Sequence, residues 1–192
     1  RGLYKYCYSL LNKGLEEPSE GIKTVTDSLI QGLNTDEEKI KAIYYYVQDK
    51  FNYVAFEDGF GGFIPRRSSL VFLRKYGDCK DLANLLYTML TYAKVKAYHA
   101  WVGTNTIPYK FSEYPIMGVA NHMITAAKVD QKWYFLDGTS KFLCYKYPSD
   151  FVQGKQTMVG ISPDSFVLLD IPIIEADVNM TVDSFTVNMA ND

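Results

Sequence analysis

An α+β fold is what this sequence predicts, and three observations predict it. Helix-periodic segments crowd the first half of the 192 residues, β-branched and aromatic alternating segments crowd the second, and 47% of the chain is apolar. Helices first and an antiparallel sheet after is the arrangement such an order favours. The length suits one main domain with a sizeable core. A formal charge of -2 gives no basic footprint, and no Lys/Arg cluster interleaves with aromatics, so nucleic acid is not an expected partner. No apolar run approaches the roughly 18 residues that span a bilayer. The 16 tyrosines and 11 phenylalanines are accounted for by an aromatic core and a tyrosine-rich surface.

Residues 1–18 read as a lead-in ending at Glu16-Glu17-Pro18. Ser19, Ile22, Val25 and Leu29 then recur at helical spacing, which predicts a first helix over about 19–33. Thr35 followed by Glu38 is a capping box, and Ile40, Ile43, Tyr44 and Val47 form one stripe, so a second helix covers 35–50. "FNYVAFE" predicts a short strand. "EDGFGGFIPRR" is a glycine-rich loop placed to flank a cleft, although ordinary turn geometry also explains its glycines.

Ser68 to Lys75 reads as a short helix stopping at Gly77. From Cys79, the positions Leu82, Ala83, Leu86, Met89, Leu90 and Ala93 trace the buried face of a further helix. Asp78 is its N-cap, so Cys79 is the first helical residue, where free N–H groups and the helix dipole favour an anion. "KAYHAWVG", "NHMITAAKV" and "KWYFLDGT" follow as strands, the last two joined at Asp130-Gln131. Residues 161–192 alternate loosely to the end and read as a β-rich tail, the expected start of a following domain, with the main domain over 19–160.

Thiol chemistry needs a thiolate, a base and a group that orients the base. The chain has two histidines, His99 and His122. A turn of two or four residues at Asp130-Gln131 pairs residues summing to 261. His122 and Asp137 are then diagonal neighbours on one face, about 7 to 8 Å apart at the backbone and bridgeable by their side chains. A three-residue turn would place them on opposite faces. Cys7, Cys79 and Cys144 are too few and too widely spaced for a disulfide framework or zinc knuckles, and no Asp-rich calcium loop is present. No metal or other cofactor is expected.

"EKIKAIYYYVQDKFNYVAF", "YGDCKDLANLLYTMLTYAKVKAYHAWVGT" and "NHMITAAKVDQKWYFLDGTS" together resemble the bacterial transglutaminase-like domain of the papain-like transglutaminase-core superfamily, over about residues 36–147. The resemblance implies a nucleophile on a central helix N-terminus packed on an antiparallel sheet. Motif by motif it implies Cys79 as nucleophile, His122 as base and Asp137 as orienter. Many members carry His-x-Trp at the base. Here His122 is followed by Met123 and Ile124, and the His-x-Trp of this chain is at His99, one strand too early and without a matching aspartate. By analogy with an upstream tryptophan of the family, Tyr53 or Phe56 is the side-chain candidate for the oxyanion hole or cleft wall.

The resemblance also suggests a piece of a large exported bacterial protein, periplasmic or in the cell envelope, with flanking β-rich domains. The functions expected are peptidase or amidase action first and protein-glutamine transglutamination second, on a peptide or protein substrate. A non-catalytic binding or scaffolding module is the reading from another class, and a Cys/His zinc site is the third.

Overall fold

The computed structural model describes residues 1–55, 59–178 and 182–187. Helices α1 (Gly2–Leu11), α2 (Glu20–Ile30) and α3 (Asp36–Lys50) are followed by a two-residue strand β1 (Asn52–Tyr53). Then come α4 (Ser68–Arg74), β2 (Tyr76–Gly77) and α5 (Cys79–Tyr92). The second half supplies β3 (Lys96–Val102), β4 (His122–Val129), β5 (Lys132–Leu136), β6 (Gln156–Ser162) and β7 (Ser165–Asp170).

Local chemistry sets most of these boundaries. Thr35 and Glu38 form the expected reciprocal cap of α3, and α2 stops ahead of Gly32, whose φ of +77° no helix accepts. Two expectations need correction. Of the strand expected over 51–57, the described residues make strand pairs at Asn52 and Tyr53, which run parallel to Tyr76 and Gly77. The stop of α4 is Lys75, not Gly77: Lys75 takes the left-handed conformation with φ 62° and returns its N–H to Val71. Its ammonium then lies 3.8 Å from the Phe72 ring centroid, a cation–π contact that favours this conformation in a residue other than glycine.

Five strands form one antiparallel sheet in the order β5-β4-β3-β6-β7. α5 lies across one face against β3 and β4, with α2 and α3 behind it. Ile22, Ile43, Val47, Leu82, Leu86 and Met89 make the helix-side core. The other face buries Val102, Ile124, Ala126 and Val159 under Val152 and Ile171. Residues 1–18 include α1, which buries Tyr4, Cys7, Leu10 and Leu11. Residue 160 falls inside β6, and β7 continues the same sheet. Among the described residues no helix is long and apolar enough to cross a membrane.

Candidate active site

The start of α5 is built as a buried ionic knot. Asp78 accepts the Asp81 N–H at 3.3 Å, and Asp81 returns the bond by accepting the Asp78 N–H at 3.1 Å. Asp81 also accepts the Arg66 backbone N–H at 2.7 Å and the Arg66 guanidinium at 2.5 Å. The Lys80 ammonium donates to Asp78. Burial raises the Asp78 carboxyl above its ordinary range, against the opposing pull of Lys80. With two reciprocal bonds and two cations holding it, this turn fixes the direction of Cys79. The Cys79 backbone N–H, at the first helical position, has no carbonyl partner within the helix.

Gly77 explains the residue before the cap. A Cβ there would stand 2.6 Å from the Asp81 Cβ, closer than real contacts allow. Gly77→Ala is therefore expected to cost about 1–3 kcal/mol, as overpacking does. It should also displace the Cys79 turn. Thermal melts and the rate of Cys79 alkylation would register the two effects separately.

The β4–β5 hairpin places the other two groups. Thr125 faces Leu136 and Val129 faces Lys132, so paired residues sum to 261 as expected. Asp130 absorbs the two-residue turn with φ 52°, a conformation that aspartate tolerates better than most residues. His122 Nε2 and Asp137 Oδ2 are then 2.9 Å apart. The Asp137 carboxylate is further gripped by the Thr139 N–H at 3.0 Å, the Thr139 hydroxyl at 2.7 Å and the Ser149 hydroxyl at 2.7 Å. Tyr44 donates to the Asp137 carbonyl at 3.0 Å, which ties the end of β5 to α3.

These contacts set the charges. The side chains of His122 and Asp137 are only 9% and 1% exposed. Burial opposes protonation of His122, but the charge and hydrogen bond of Asp137 outweigh it and Cys79 adds to them, so its pKa is pushed up to about 10. For Asp137 burial works upward and is overcome by His122, Ser149 and Thr139, which hold the carboxyl below its ordinary value. With Nε2 engaged by Asp137, Nδ1 is the nitrogen that remains for Cys79.

Cys79 and His122 share the lining of one cavity of about 370 Å³. Gly59, Gly62 and Phe63 of the glycine-rich loop form part of its wall. The three cysteines of the chain are free thiols.

His99 sits elsewhere. It is buried inside β3, bonded through Nε2 to Asn84 Oδ1 at 3.2 Å and packed on Tyr87 at 4.2 Å. Burial lowers its pKa to about 3. Tyr53 is 44% exposed and is not part of the described cavity lining. Phe56 lies outside the described residues.

Sequence reasoning missed Thr139 and Ser149. The Asp-Gly-Thr string does carry a signal, since Asp side chains bond the N–H two residues on. Ser149, twelve residues beyond Asp137, carries none.

The model of the transglutaminase-like superfamily matches residues 23–138. No match was found among curated proteins. Among solved structures, a candidate protease from Parabacteroides distasonis superposes with a TM-score of 0.63 at 17% identity, covering 88% of this chain and 31% of the other. This chain thus spans under a third of that protein. Legionella pneumophila LapG superposes with a TM-score of 0.47 at 14% identity over 72% of this chain and 70% of its own. A candidate cysteine protease from Cytophaga hutchinsonii gives 0.46 at 15% identity, over 62% and 37%. The mixed helical and antiparallel architecture is that of the transglutaminase-like, papain-like fold. Since the match runs from α2 through Asp137 and takes in well over half of the sequence, the chain belongs to the transglutaminase-like superfamily.

Proposed function

We propose that this chain is a thiol-dependent acyl-transfer enzyme acting on amide or peptide bonds, with Cys79 as nucleophile, His122 as base and Asp137 as its orienter. The observation that carries the reading is the 2.9 Å His122–Asp137 bond, with His122 and Cys79 lining one cavity at a helix start.

The Cys79 thiolate adds to the carbonyl carbon, and the electron pair of the C=O bond moves to oxygen. That oxyanion is received by the Cys79 N–H and the positive end of α5. Its collapse breaks the C–N bond, and the imidazolium of His122 gives its proton to the departing amine. Water, deprotonated by the now neutral His122, attacks the thioester and releases the acid and the thiolate. Asp137 stays ionised throughout and holds the ring. Water is favoured as acceptor because no feature for a second substrate is visible among the described residues. An amine acceptor would make the same steps a transamidation.

Iodoacetamide labelling at mildly acidic pH tests the core of this reading. Cys79 should react faster than N-acetylcysteine, and His122→Ala should abolish the difference. Labelling no faster than the free thiol would instead favour a binding module.

A further inference from the structure

The cavity beside Cys79 and His122 is walled by apolar side chains drawn from separate parts of the chain. Leu3 and Cys7 come from α1, Trp101 from β3, and Phe111 and Met117 from the segment ahead of β4. Cys7 Sγ lies 3.2 Å from Met117 Sδ, so α1 and that segment meet across the cleft.

Two further polar side chains, Lys80 and Asn121, belong to the described lining. Both are committed elsewhere. The Lys80 ammonium is bonded to buried Asp78. Asn121 accepts the Thr104 N–H at 2.9 Å and donates to the Thr104 hydroxyl at 3.0 Å. A charged or amide side chain entering this space would shed hydration and meet, apart from Cys79 and His122, only described polar side chains that are already hydrogen-bonded elsewhere, which costs free energy. A small one would leave much of about 370 Å³ unfilled and forfeit dispersion contacts.

We infer that the acyl group delivered to Cys79 carries a large, uncharged, apolar side chain, seated against Leu3 and Cys7 of α1 and against Trp101 and Met117. The inference rests on the proposed acyl-transfer chemistry and adds its substrate class. Leu3 and Cys7 precede residue 23, outside the segment that matches the superfamily. The α1 side of the wall thus lies outside the matched segment, whereas Trp101 and Met117 lie within it. Cys7, a short side chain at mid-helix, lines the cavity beside Met117.

Acetyl-aminoacyl chloromethyl ketones test this without requiring turnover, because the thiolate simply displaces chloride. The Phe, Leu, Ala, Gln, Asp and Lys reagents would be compared by mass spectrometry of the Cys79 peptide, each rate divided by that for N-acetylcysteine. The Phe and Leu reagents should exceed the Gln, Asp and Lys reagents by roughly 10-fold or more. Cys7→Phe should turn the preference toward the Ala reagent. A flat profile at rates above the free thiol, or a preference for Gln, Asp or Lys, overturns the inference and leaves the thiol chemistry standing. A flat profile no faster than the free thiol removes both. The wild-type ranking decides even if Cys7→Phe is not recovered folded.

Discussion

Cys79→Ala is expected to abolish amide turnover while leaving the fold as it is. The size of the loss follows from the unit in which Cys79 would act. Removing a nucleophile that a histidine activates takes away covalent catalysis and leaves only binding and the oxyanion donors, a fall of roughly 10⁴ to 10⁶-fold. The fold should hardly notice. The cap that organises α5 runs through Asp78, Lys80, Asp81 and Arg66, and the Cys79 side chain takes no part in it. A stability change within about 0.5 kcal/mol is therefore expected, as for substitutions away from packed or networked positions. Progress curves and thermal melts on one preparation check both halves. If Cys79→Ala retained a tenth of the activity, the nucleophile would lie elsewhere and the proposed mechanism would fall.

Asp137→Ala should be costly in both respects. The substitution strips four donors of their acceptor at once: His122 Nε2, the Thr139 N–H and hydroxyl, and the Ser149 hydroxyl. Removing one partner of a buried charged pair costs about 3–5 kcal/mol. For a chain of this size that is a melting midpoint lower by roughly 10 °C. Activity should drop by about 10⁴-fold, because the ring loses both its orientation and the charge that supports its imidazolium.

Asp137→Asn separates charge from shape through pH. The folded pKa of Asp137 is depressed, so its contribution is present above the ordinary carboxylate range and fades as pH falls through the lowered value. The folded pKa of His122 is raised, so its contribution is complete below about 6.5 and is lost as pH rises through about 10. The stability gap between wild type and Asp137→Asn should thus be widest between roughly pH 4 and 6.5 and shrink toward pH 10. A gap independent of pH would show that the pair is not ionic.

The parts of this molecule that could be read in advance are those where neighbours in sequence decide the outcome. The caps at Thr35 and Asp78 each rest on a residue three positions away. The buried stripe of α5 rests on spacing alone. The juxtaposition of His122 and Asp137 needed only the parity of one hairpin turn. What escaped depends on distant partners. α1 has no side-chain cap and no acidic residue in its first turn, so its start carries no local signal, and its apolar stripe acquires meaning only against the sheet. β6 sits between β3 and β7, with an irregularity between Gly160 and Ser162. A strand interrupted by such an irregularity loses near its end the alternation that marks regular strands. Ser149 follows β5 by a loop whose path no local pattern fixes. The His122–Asp137 geometry was legible because it rests on one hairpin, whereas the cleft was not, because its walls are assembled from 3 to 123 in the numbering.

The docking of α1 also has a meaning in time. Tyr4 donates its hydroxyl to the Ser162 carbonyl and lays its ring 5.0 Å from that of Phe166. Helix α1 is thus moored to β6 and β7, and the loop this contact closes runs from residue 4 to residue 166. Cys79, His122 and Asp137 have all emerged well before those strands. On the proposed reading, the α1 wall of the cavity is therefore completed later in the life of the nascent polypeptide than Cys79, His122 and Asp137 are made, and a chain that stalls before residue 162 would carry those three residues without that wall.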